Sequence, residues 1–172
     1  MIEQSNSLND FGLVIAYVIP GFAFLFGCTA CMHDLHGMEQ ALDIGSLTVA
    51  ALVILIIIAV ASGLLVQTVR WLLIDSIHHN TGIKPGNWNF KVLSEQMMAF
   101  ERLTENHYRF YQFYSGMVVS LVWILACRVS KVGVFFESTN FLLLGLSILM
   151  FLGSRDTLRK YYQRLNSILT QA

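Results

Sequence analysis

From Leu47 to Gln67 the chain reads LTVAALVILIIIAVASGLLVQ, without one charged residue. About 20 mostly apolar residues are enough for a helix to cross a bilayer, so this stretch predicts a spanning helix without help from its neighbours. Only 13% of the residues are charged, against about 25% in an ordinary soluble domain. Phe11–Cys31 is a second apolar stretch, Phe110–Cys127 a third, and Val132–Gly153 a fourth whose first turns carry Glu137 and Asn140. The third opens on NHYRFYQFYSGM, where Tyr108, Phe110, Tyr111, Phe113 and Tyr114 crowd together. Rings with an apolar body and a polar tip collect at headgroup level, so this cluster reads as the entry belt of a span. A nucleic-acid surface would interleave such rings with more Lys and Arg than the single Arg109, so no nucleic-acid partner is expected. The expected fold is an all-α integral membrane protein, one domain over residues 1–172. Its spans fall at about 11–31, 47–69, 110–127 and 132–153, with helical extensions at about 70–109 and 154–172. Residues 1–10 lack the positive n-region of a signal peptide, so the first span is expected to stay.

The basic residues give a direction. Arg70, Lys84, Lys91, Arg102, Arg109, Arg155, Arg159, Lys160 and Arg164 fall on the side that holds both termini. Only Arg128 and Lys131 fall on the other, and the loop HDLHGMEQALDI has none. Lys and Arg favour the cytoplasmic side of short loops, which predicts a bacterial inner-membrane protein with both termini cytoplasmic. Beyond the second span, TVRWLLIDSIHH continues a helix to about His79, and TGIKPGNWNF turns the chain. A stripe through Leu93, Met97, Phe100, Thr104, His107, Tyr111 and Tyr114 then feeds the third span. Leu158, Tyr161, Tyr162, Leu165, Ile168 and Leu169 form a similar stripe in the tail. Such stripes pack on one another, or they receive a soluble partner, a signalling ligand or the membrane surface.

Several residues carry candidate chemistry. Cys28 and Cys31 form a C-x-x-C at the outer end of span one, with His33 and His36 following and Cys127 at the outer end of span three. Four spans with an external C-x-x-C resemble the quinone-coupled disulfide-forming membrane oxidoreductases. That resemblance implies electron transfer between two cysteine pairs, and here only Cys127 is left for the second. The alternatives are a tightly spaced metal site with the two His, or thiols packed as small hydrophobes. Arg102 and His107 have the R-x-x-x-x-H spacing and so resemble the active site of HEPN ribonucleases; that implies a His activating a ribose hydroxyl and an Arg steadying phosphate. A helix stripe accounts for His107 equally. Asp75 and His79, four apart, could begin a metal site with Glu101 or Glu105, or form a hydrogen-bonded helix junction. No Walker loop, G-x-S-x-G, H-E-x-x-H or G-x-G-x-x-G occurs, and no cofactor is expected.

Spans one to three hold no acidic, basic or His residue in their interiors; their polar content is mainly Ser62, Gln67, Gln112, Ser115 and Ser120. Ala59 and Gly63 allow close helix approach, and Pro20-Gly21 interrupts span one, freeing the carbonyl of Ala16. Pro20, Gly21, Ser115 and Ser120 are the pore or gate candidates. The blocks HYRFYQFYSGMVVSL and SRDTLRKYY resemble segments of small bacterial four-span inner-membrane proteins, some of which act as membrane effectors against phage. The function expected is a homo-oligomeric channel or pore-forming effector gated through its cytoplasmic helices, and not an enzyme. The alternatives are a thiol-disulfide oxidoreductase using Cys28 and Cys31, or a membrane scaffold for a soluble partner.

Overall fold

The computed structural model describes residues 12–31, 48–86, 88, 96–133 and 135–169, and every regular element among them is helical. α1 is a π turn, Val14–Val18, running into an α-helix at Ile19–Cys31. α2 runs unbroken over Val49–Asn80, α3 over Met97–Lys131 and α4 over Ser138–Leu169. Thr48 caps α2, its hydroxyl accepting from the Ala51 N–H at 3.3 Å. Gly133, at φ 69°, ends α3 in the left-handed conformation that suits glycine. α2, α3 and α4 are long and apolar enough to cross a membrane, and α1 has a shorter apolar stretch, Val14–Thr29. Phe11, His33 and His36 with their loop, Lys91, Leu93 and residues 170–172 lie outside the described residues.

α3 is the centre: it packs along α1 and α4 and also meets α2. Through most of the bundle the packing is inside out. α2 buries Ala59, Ser62, Gly63, Val66, Gln67 and Arg70, and it turns Leu52, Ile54, Ile57, Leu64 and Leu65 outward. α3 buries Ser115 and Ser120, and α4 buries Asn140, Ser147 and Ser154 while exposing Leu142, Leu149 and Leu152. Large aliphatic groups outside and small or polar ones inside suit hydrocarbon surroundings, where close backbone contact and interhelical hydrogen bonds drive association. These apolar helices fit a membrane-embedded protein.

Past Arg70 and Tyr111 the pattern reverses. Leu103, Tyr161, Leu165 and Leu169 form a buried apolar cluster flanked by Phe100, Tyr108 and Tyr162. Arg102, Arg159, Lys160 and Arg164 are exposed around it. The described part of the two stripes, from Met97 and from Leu158, is thus largely consumed by packing on each other. This basic end of the bundle is built like a water-soluble one.

The closest crossing joins α1 to α2. A Cβ on Gly21 would lie 1.9 Å from the Ala59 carbonyl oxygen, and one on Gly63 would lie 2.1 Å from that of Tyr17. Only hydrogen fits at either position. At the end opposite Arg102, Arg159, Lys160 and Arg164, Cys31 of α1 and Cys127 of α3 form a disulfide with Cα atoms 5.0 Å apart, within the usual range. This corrects the reading of Cys31 as a thiol packed as a small hydrophobe. Cys28, one turn earlier on α1, is a free thiol, and its neighbour is bonded across 96 residues instead. Packing as a small hydrophobe therefore describes Cys28 alone.

Cys31→Ser is expected to lower stability by about 2 kcal/mol, the low end for a disulfide, because helices held in a bilayer have already lost much of their loop entropy. Cys28→Ser is expected to change nothing. Thermal unfolding in detergent, with and without reductant, measures both; a reductant shift that survives in Cys31→Ser would contradict the assignment.

Candidate functional site

A polar seam runs between α1, α2 and α3 and ends on a buried ion pair. It begins at Pro20, whose missing N–H leaves the Ala16 carbonyl without its i+4 donor. Gln67 Nε2 donates to that carbonyl at 2.7 Å and lies 3.2 Å from the Gln112 carbonyl. Ser120 Oγ donates to the Pro20 carbonyl at 2.8 Å, and Ser115 Oγ to that of Tyr111. Gln112 Nε2 lies 3.4 Å from the Tyr17 hydroxyl. Gln67 Oε1 is buried with no hydrogen-bond partner, so the seam is not fully satisfied.

Next along α2 comes Arg70, only 5% exposed. Its Nη1 lies 3.2 Å from Asp75 Oδ1, the Tyr111 hydroxyl donates to the same carboxylate, and the guanidinium sits 5.1 Å over the Tyr111 ring. Arg70 Nε and Nη1 make no hydrogen bond, so this is an ion contact rather than a two-pronged fork. A buried pair with unmet donors is costly to keep. One turn on, His78 is fully buried, with Nε2 2.9 Å from Ser154 Oγ. Ser154 Oγ also lies 2.8 Å from the Phe151 carbonyl, and His78 Nδ1 is buried without a partner.

Three π turns surround this site: Val14–Val18 on α1, Trp71–Asp75 on α2 and Thr104–Tyr108 on α3. Bonding from i to i+5 puts an extra residue in the turn, and such turns recur at functional sites. Here the π turn of α2 stacks Asp75 on Arg70, five positions back. Beyond that turn His78 is buried and Ile77 is 44% exposed.

The other predicted residues fall as follows. Pro20, Gly21, Ser115 and Ser120 all lie in the seam and are buried. Asp75 and His79 take different partners: Asp75 goes to Arg70 and Tyr111, and His79 Nε2 lies 3.5 Å from the Tyr162 hydroxyl. Among the described residues no three His, Cys, Asp or Glu side chains gather as a metal site would need. Arg102 and His107 share a cavity of ≈ 380 Å³ at the basic end, with Arg164 opposite. His107 lies beyond the apolar run of α3; burial, then the charges of Arg164 and Lys160, hold its imidazole below the ordinary value. Burial and then the Asp75 charge push the Tyr162 hydroxyl, on the tail extension of α4, up to about 12. The sequence marks Arg70 only as a basic flank and Tyr111 only as a ring of the belt and stripe, and nothing in its patterning joins them, or His78, to Asp75. Their one signal is the placement of an Arg directly after an uncharged span. Compared with known proteins, the chain matches no family, no curated protein and no solved structure.

Proposed function

We propose that this chain is a four-span inner-membrane protein, both termini cytoplasmic, that forms a gated pore as a homo-oligomer. The observation that carries this reading is the polar seam from Pro20 through Ser120, Ser115, Gln112 and Gln67 to the Arg70–Asp75–Tyr111 cluster. Ionisable groups held inside a membrane bundle, here Arg70 and Asp75, mark ion pathways, and hydroxyls and amides can hydrate one once water enters. In the described conformation the seam is shut by the backbone crossing at Gly21 and Gly63. Opening means separating α1 from α2 and α3 at the Pro20 kink, with the Arg70–Asp75 pair as the latch and neighbouring copies completing the wall. The disulfide supports an oxidising compartment at the far end, which agrees with the basic end being cytoplasmic.

The oxidoreductase reading needs Cys28 and Cys31 to cycle together, and the Cys31–Cys127 bond supports a staple instead. The scaffold reading needs a free apolar face, and Leu103, Tyr161 and Leu165 are buried against each other.

The test is conductance of the full-length protein in planar bilayers, alongside its size by cross-linking in mild detergent. Discrete steps that shrink in Ser120→Val, from an oligomer, are the expected result. A monomer that passes no current at any potential overturns the reading.

A further inference from the structure

A basic cavity lies where α2 ends against α4. It holds ≈ 310 Å³, and among its lining residues are Thr81, Gly82, Lys84, Arg155, Arg159 and Tyr162. Its lining includes three cations and no carboxylate. Arg155 is anchored, with Nη1 donating to Thr81 Oγ1 at 2.8 Å and Nη2 to the Thr81 carbonyl at 3.2 Å, so one cation is fixed in place. Lys84 and Arg159 are exposed and turn towards the same space. Nearby, the Asp156 carboxylate is held by Lys160 at 2.5 Å.

Position makes the cavity more than a basic patch. On α4, exposed Leu149 and Leu152 are followed at the same helical spacing by Arg155 and Arg159. On α2, exposed Leu73 and Ile77 lead up to Thr81. Two apolar ridges thus run into one basic hollow. The apolar run of α4 stops at Gly153, and at 1.5 Å per residue Arg155 and Arg159 lie about 3 and about 9 Å beyond it, at headgroup depth. The volume is at the low end of the roughly 300–1,000 Å³ of small-molecule sites, enough for a headgroup and not for a whole lipid.

We propose that this cavity binds a phosphate-bearing anion, with Arg155 and Arg159 as its main donors, Lys84 closing the rim, and the apolar ridges holding the acyl chains of an anionic glycerophospholipid. Basic pockets between helices at a cytoplasmic face take such headgroups. Tyr162 keeps its proton at physiological pH and adds a neutral donor. The site rests on the membrane reading and is independent of whether the protein conducts.

Full-length protein in non-ionic detergent, titrated with phosphatidylglycerol or phosphatidylcholine and read by native mass spectrometry, tests the proposal. Retention of phosphatidylglycerol at least tenfold above phosphatidylcholine is expected. The Lys84→Gln/Arg159→Gln variant changes exposed side chains only and should still fold. It is expected to lose roughly 25-fold in phosphatidylglycerol affinity, at roughly fivefold per charge, and Lys131→Gln at the far end is expected to lose nothing. Inorganic phosphate serves as the soluble probe. Millimolar phosphate displacing the lipid in the native protein, and failing to bind the double variant, would keep the anion site and assign it to a soluble ligand. Equal binding of the two lipids, or a double variant that binds phosphatidylglycerol as well as Lys131→Gln does, overturns the proposal.

Discussion

Asp75→Ala is expected to destabilise the protein by about 3–5 kcal/mol, because it strands the Arg70 guanidinium in a buried site without its counter-charge. Arg70 is almost fully buried and already has two nitrogens without hydrogen-bond partners, so nothing else is placed to compensate. The neutral pair Arg70→Met/Asp75→Leu is expected to recover most of the loss, since it removes both charges and fills the space. Tyr111→Phe, which deletes only the hydroxyl donor to Asp75, is expected to cost about 1.5–3 kcal/mol. Denaturant titration in detergent measures all three. The pairing argument fails if Arg70→Met/Asp75→Leu is no more stable than Asp75→Ala. If the pair is also the latch of a pore, the double variant is expected to fold and yet conduct without a trigger, which separates its structural role from its gating role.

Gly63→Ala is expected to cost about 3 kcal/mol or more and to reduce folded yield sharply. The added methyl would lie 2.1 Å from the Tyr17 carbonyl oxygen, and the obstruction is backbone rather than the end of a flexible side chain. Overpacking typically costs about 1–3 kcal/mol when side chains can shift; here α1 and α2 must separate, and the Gln67–Ala16 bond is lost with them. Gly21→Ala is expected to do the same through Ala59, and the double variant should be less than additive because both act on one crossing. Gly145→Ala is the control. A Cβ there meets nothing within 4 Å, so the substitution should be neutral, or stabilising by up to about 1 kcal/mol from helix propensity. Size-exclusion profiles and thermal unfolding distinguish the cases. A well-folded Gly63→Ala protein with native stability would mean that α1 does not cross α2 so closely.

Much of this architecture was legible in the order of residues. The uncharged run before Arg70 could only be a long apolar helix, and Pro20 had to free the Ala16 carbonyl, because a residue without an N–H cannot bond its preceding turn. The small residues Ala59 and Gly63 marked a close approach, and the two stripes at the basic end marked helices that pack together. Each of these is local: it follows from periodicity, from charge or from the chemistry of one side chain.

The candidate site was legible only in pieces. Asp75 was visible, but α-helical spacing pairs it with His79 four residues on, whereas the π turn at Trp71–Asp75 stacks it on Arg70 five residues back. Beyond that turn His78 is buried and Ile77 is exposed, the reverse of what hydropathy alone would choose. Cys31 had a near neighbour in Cys28 and a true partner 96 residues away. Composition, hydropathy and periodicity thus determined that the chain is helical, apolar enough for a membrane and basic at one end, because those properties sum over neighbouring residues. Which carbonyl Gln67 meets, which charge Arg70 holds and which thiol Cys31 bonds were decided by the tertiary structure, because each depends on where separate helices cross and how far each has turned about its own axis.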